Sequence, residues 1–173
     1  MPVLVNNPLA EYVALTPARI LDTRPGFTTV DGVGQGGGLV TGGSTLAVLV
    51  RGRAGVSNST TAAALTITVV GAAGPGFVTV WPCDKPKPTA SSVNMAGSAA
   101  RANMVIARVA TSGPQIGMVC VSPSVSTHLI VDVAGYFRSG SSFTALNPGR
   151  LVDTRSIGVT VDGLNEAGGA LAA

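Results

Sequence analysis

A chain of 173 residues with 46% apolar and only 11% charged side chains has enough mass for one domain with a real core and too little for two of ordinary size. Its formal charge is +3, but the basic residues are scattered and Lys85 and Lys87 are the one close pair of lysines, which excludes a nucleic-acid footprint. No run approaches the roughly eighteen apolar residues of a membrane helix, and residues 1–11 lack the basic and apolar regions of an export signal, so neither membrane insertion nor a leader is expected.

The 23 Gly and 11 Pro punctuate short runs rich in Val, Ile, Leu and Thr. Branching at Cβ stiffens such side chains and suits a pleated surface, so an all-β chain without helices is expected. In chain order the predicted strands are 18–23, 45–51, 63–70, 77–81, 92–95, 104–109, 117–121 and 128–134. Gly74-Pro75-Gly76 and Ser112-Gly113-Pro114 supply turns between them. Even spacing of short strands predicts an antiparallel β-sandwich, jelly-roll or Ig-like, or a barrel.

An internal repeat organises the chain. Tyr12-Val13-Ala14-Leu15-Thr16-Pro17-Ala18-Arg19-Ile20-Leu21-Asp22-Thr23-Arg24 returns as Phe143-Thr144-Ala145-Leu146-Asn147-Pro148-Gly149-Arg150-Leu151-Val152-Asp153-Thr154-Arg155, and the same offset of 131 aligns Thr29-Val30-Asp31-Gly32 with Thr160-Val161-Asp162-Gly163. A period this long makes each copy a whole domain and not one turn of a solenoid. The division expected is an N-terminal arm over 1–11, a sandwich module over 12–138, a linker Ser139-Gly140-Ser141-Ser142, and a partial second module over 143–173. A partial module exposes a strand edge and an apolar face, and so is expected to act as a C-terminal arm that pairs with another subunit.

Asp22 with Arg24, and Asp153 with Arg155, are two residues apart on predicted strands and share a face, which points to structural ion pairs. No nucleophile or base accompanies them, so no enzyme and no cofactor is expected. Asp132 interrupts an apolar strand and needs a partner, for which Arg24 is the candidate. Cys83 and Cys120 are compatible with a disulfide or with two buried thiols; with His128, they are too few for a metal site. His128 is expected as a polar residue at a strand start. Trp81, Tyr12 and Tyr136 are expected in the core, with a carbohydrate-stacking platform as the alternative. Asn94 and Asn103 are expected to bond turn backbone, the alternative being a sugar-contacting pair. The loop over 82–88, with its two lysines, is a candidate contact segment. Gly34-Gln35-Gly36-Gly37-Gly38 lacks the Lys-Ser/Thr of a phosphate loop.

Three separated motifs, Leu21-Asp22-Thr23-Arg24, Thr79-Val80-Trp81-Pro82-Cys83 and Val131-Asp132-Val133-Ala134-Gly135-Tyr136-Phe137, occur in an order that resembles the β-rich repeat of secreted and surface proteins of actinobacteria and related bacteria. Similar modules occur on bacteriophage particles. The resemblance covers residues 13–137 and restarts at 143. It implies a non-catalytic role at an exposed surface, virion or extracellular. The expectation is a structural protein of a phage virion, capsid decoration or tail component, or a filament subunit. Its partners would be further copies, or other virion or filament proteins, held through the terminal arms. The alternative is an adhesion repeat of a longer secreted tandem-repeat protein, with a surface glycan as ligand.

Overall fold

The computed structural model describes residues 12–170; the arm expected over 1–11 lies outside them. Eight strands form: β1 (Val13–Asp22), β2 (Leu46–Leu49), β3 (Thr60–Val70), β4 (Gly76–Pro82), β5 (Val93–Met95), β6 (Arg101–Arg108), β7 (Met118–Pro123) and β8 (His128–Arg138). None of the described residues is helical. Each predicted strand is present. β1 starts earlier than expected because Thr16-Pro17 is absorbed in a register shift between Ala14 and Ala18; proline, which cannot donate to a ladder, is tolerated at such a bulge on an edge strand. β6 starts at Arg101, three residues before the expected apolar run, as an exposed edge.

The strands divide into two antiparallel four-stranded sheets, ordered β1-β8-β3-β6 and β2-β7-β4-β5. The first strand pairs with the last, the second with the seventh, the third with the sixth and the fourth with the fifth. This nesting of two Greek keys is the jelly roll, and it decides between the two sandwich topologies that the sequence permits.

Strand alternation fills the space between the sheets. Leu65, Ile67 and Val69 of β3 and Leu129, Val131 and Val133 of β8 meet Val48, Val78, Val80, Val119 and Val121 of the second sheet. Burying each such side chain contributes about 1.5–3 kcal/mol. Between β3 and β8 the register slips, so that Leu65 opposes Val133 while Ala64 opposes Gly135. The extra residue, Ala134, inverts the parity of β8 and turns Tyr136 into the core. Gly135 leaves room there for the phenol of Tyr12, which lies across it, where a Cβ would push the ring aside; the phenol donates to the Ala134 carbonyl.

Trp81 is buried, but outside this core. With Cys120, its cross-strand partner, it lies on the outer face of the second sheet under the loop 83–88. Its indole donates to the Lys85 carbonyl at 3.0 Å, while Lys87 donates to Ser122 at 2.7 Å with its ammonium 5.9 Å from the indole centroid. The loop is anchored by a disulfide between Cys83 and Cys120, whose Cα atoms are 5.0 Å apart. The bond settles which of the two cysteine states holds. It spans 37 residues, a loop for which chain entropy gives about 4 kcal/mol. The Cys83→Ala/Cys120→Ala variant is expected to lose about 2–4 kcal/mol, read as a lower urea midpoint. An unshifted midpoint would show that the loop 83–88 stays in place without its covalent anchor.

Candidate functional site

The carboxylate of Asp22 is wholly buried, at 0% exposure, where an unpaired charge could not persist. Its four acceptor positions are filled from within six residues. Oδ1 accepts from the Arg24 main-chain amide at 3.1 Å and from Arg24 Nε at 3.0 Å, and Oδ2 from Arg24 Nη2 at 2.7 Å and Arg19 Nη1 at 2.9 Å. Burial works to raise the pKa of this carboxyl, but the bonds and charge from Arg24, with Arg19, outweigh it and hold the pKa below its ordinary range. The expected Asp22–Arg24 pair is therefore present, and Arg24 also stacks on Phe27 at 3.5 Å.

Arg24 is not the partner of Asp132. That role belongs to Arg19, which lies directly across from Asp132 in the β1–β8 register and donates from Nε at 2.9 Å. Nor is Asp132 deeply buried: its side chain retains 27% exposure on the outer face of the sheet. Arg19 thus bridges two carboxylates, one on its own strand and one on β8. Thr23 adds two links to β8, its main-chain amide donating to the Leu129 carbonyl and its Oγ1 accepting from the Leu129 amide, both at 3.0 Å. His128 opens β8 as expected, its Nδ1 3.3 Å from Thr23 Oγ1.

The chain after Arg24 folds back along β1. The Asp22 amide donates to the Gly34 carbonyl, Gly36 returns a bond to Asp22, and Gly38 bonds Thr23. The glycine-rich run is a strap over the edge of β1. A buried arginine that no sequence pattern singles out, Arg53, ties this strap to the body. It is 6% exposed, lies in the turn after β2, and makes a bidentate pair with Asp31 at 2.8 and 2.6 Å. It also donates to the carbonyls of Ile20 at 2.7 Å, Val33 at 2.8 Å and Leu49 at 3.2 Å. Its hydrogen bonds hold the Asp31 carboxyl down at about 2.

Residues 150–169 reproduce the local bonds of this lobe. Asp153 accepts from the Arg155 amide at 3.2 Å, from Arg155 Nε at 2.8 Å, from Arg155 Nη2, and from Arg150 Nη1 at 2.9 Å. Its carboxyl is likewise held well below the usual range, chiefly by Arg155. The strap returns as Asp153 to Asn165, Ala167 to Asp153 and Gly169 to Thr154. Asn165 and Ala167 even keep the left-handed backbone of Gly34 and Gly36, at φ of 53° and 55°, a conformation costly for residues with a Cβ.

What differs is the cover. Ile20 and Leu21 are 0% and 5% exposed, whereas their counterparts Leu151 and Val152 are 62% and 61% exposed. Arg150 reaches the Thr89 carbonyl at 3.0 Å where Arg19 reaches Asp132. Phe143 stacks on Phe137 at 4.1 Å, the ring that Tyr12 also touches at 5.3 Å.

The remaining expectations divide. Trp81 and Tyr136 sit in opposite sheets, and Tyr12, expected in the core, is 42% exposed just before β1 and lies over the outer face of β8, so the three make no sugar-stacking platform. Asn94 and Asn103 lie within β5 and β6 and not in turns; Asn103 donates to the Ser92 carbonyl at 2.7 Å.

Comparison with protein-family models, with curated proteins and with solved structures finds no match to this chain. Fold and site together define a jelly-roll β-sandwich that carries an acid–arginine lobe twice, once covered and once open.

Two outcomes follow from the lobe. Asp22→Asn, which leaves two arginines facing a neutral amide, is expected to cost about 3 kcal/mol in urea unfolding, whereas Asp153→Asn leaves the midpoint of the sandwich unchanged; equal losses would refute a separately held second lobe. Asp31, ordinary when unfolded at 3.8 and near 2 when folded, stabilises the protein above the higher value and loses that contribution as pH falls through the lower. Urea midpoints taken between pH 5 and pH 2 should fall less steeply in Asp31→Asn than in the parent; identical slopes would mean that Arg53 does not hold Asp31.

Proposed function

We propose that this protein is a non-enzymatic structural subunit that assembles at an exposed surface, with residues 143–173 as its assembly arm. The observation that carries the reading is the open second lobe. Leu146, Leu151, Val152, Ile157, Val159, Val161 and Leu164 are each more than half exposed, a density of apolar side chains that marks an interaction surface. Three of them occupy positions that Leu15, Ile20 and Leu21 hold against or within the core. The lobe's own frame is complete, so it is a preformed part lacking only its cover.

A catalytic reading has less support, because every acceptor position of the Asp22 carboxylate is taken by Arg19 and Arg24. The finer proposal is a phage virion surface protein, capsid decoration or tail component, or a filament subunit. Its support is the motif resemblance, together with the recurrence of the jelly roll in capsid domains. The restart of the module at Phe143 favours a second reading, an adhesion repeat of a longer tandem protein, in which the cover comes from a neighbouring module of the same chain.

Light scattering on the full chain and on a chain ending at Ser139 separates assembly from its absence. The full chain is expected to associate through its arm and the shortened chain to remain monomeric. Two monomers would sink the assembly reading and leave the tandem repeat in front.

A further inference from the structure

We propose that the second lobe carries a guanidinium-binding site, formed by the carboxylate of Asp162 and the main-chain carbonyls of Leu164 and Leu151. Its occupant is an arginine side chain presented by a partner β-sandwich, from the turn that follows an edge strand. The proposal rests on the assembly reading above and names the chemistry of that contact.

The template is internal. In the first lobe Arg53 spends its donors on Asp31, on the carbonyls of Val33 and Ile20, and on Leu49. Leu49 belongs to the body; the other three belong to the lobe, and each recurs at the repeat offset as Asp162, Leu164 and Leu151.

The bonds that frame these acceptors recur. The Leu164 amide donates to Asp162 Oδ1 at 3.1 Å, as Val33 does to Asp31 at 3.1 Å. Thr160 Oγ1 donates to the Leu164 carbonyl at 2.8 Å, as Thr29 does to Val33 at 2.9 Å. Val161 bonds the Arg150 carbonyl at 2.9 Å, as Val30 bonds Arg19 at 2.9 Å. Thr160 Oγ1 lies in addition 3.2 Å from Asp162 Oδ1. Among the described residues no arginine or lysine reaches Asp162 in an ion pair.

A carboxylate flanked by two carbonyls suits a planar fork of donors better than a compact ammonium, which cannot span all three. The apolar positions beside it, Leu151 and Val152, match those the body covers around Ile20 and Leu21, so the occupant brings an apolar face with its arginine.

The test is a titration of the full chain with N-acetyl-arginine-N-methylamide at constant ionic strength, followed by amide NMR, with the lysine analogue in parallel. Saturable shifts are expected at Leu151, Asp162 and Leu164, half-complete on the order of 10 mM, a lone side chain being a weak ligand. They should weaken about tenfold or more with the lysine analogue and in Asp162→Asn. If the chain is already associated, the arginine compound should lower the scattering mass and the lysine compound should not. Equal response to both compounds, or neither shifts nor dissociation, would overturn the proposal, and the lysine comparison holds even if Asp162→Asn disturbs the lobe. A titrating site on a chain that never associates would instead remove the assembly reading and leave the site standing.

Discussion

One buried carboxylate governs the N-terminal third of the molecule. Asp22 can be taken out of water only because four donors from Arg19 and Arg24 reach it without help from any distant part of the chain. Since the neutralisation is local, the lobe around it is a self-supporting piece, and its long-range links are additions: Arg19 to Asp132, Thr23 to Leu129, Arg53 to Asp31. The second copy makes the same point by subtraction. There the local bonds persist and only the additions are gone or replaced, Arg150 reaching the Thr89 carbonyl in place of a carboxylate.

The elements were legible because alternation of β-branched residues between Gly- and Pro-rich turns is itself the physics of a half-buried strand, and all eight came through in place. What escaped depended on pairing. Asp132 finds Arg19 and not Arg24 because of the β1 register, and two irregularities in that strand shift which side chains face each other. Nothing in the chain announces those shifts except Pro17. Arg19 carried a usable signal, since it recurs as Arg150 within the repeat. Arg53 carried none, because its burial is decided by a strap and a turn that meet only in the folded state. The cysteines were undecidable for the same reason: a separation of two Cα atoms is not a property of a sequence. Of the aromatic residues, Tyr136 reaches the expected core by way of a bulge at Ala134, whereas Trp81 is covered from outside by its own loop and Tyr12 is left 42% exposed.

Two copies of one motif in two environments separate what a sequence pattern specifies from what a fold supplies. The pattern specifies the frame: the carboxylate, its two arginines and the strap, down to left-handed backbone at Asn165 and Ala167, where glycine is absent. The fold supplies the neighbours that make Ile20 interior and leave Leu151 in water. A segment with its frame finished and its neighbours missing has little ordering entropy left to lose on contact, which favours tight association over a modest area.

The nesting of strands also fixes how the module carries load. Val13 at the start of β1 faces Tyr136 near the end of β8, so the chain enters and leaves at the same end of two adjacent antiparallel strands. Tension applied through those ends peels the β1–β8 ladder one hydrogen-bonded pair at a time, where strands gripped at opposite ends would share the force along their length. The covalent backbone is thus the soft direction of this module, and an array that must resist shear has to pass the force sideways, through faces and straps, and not along the thread.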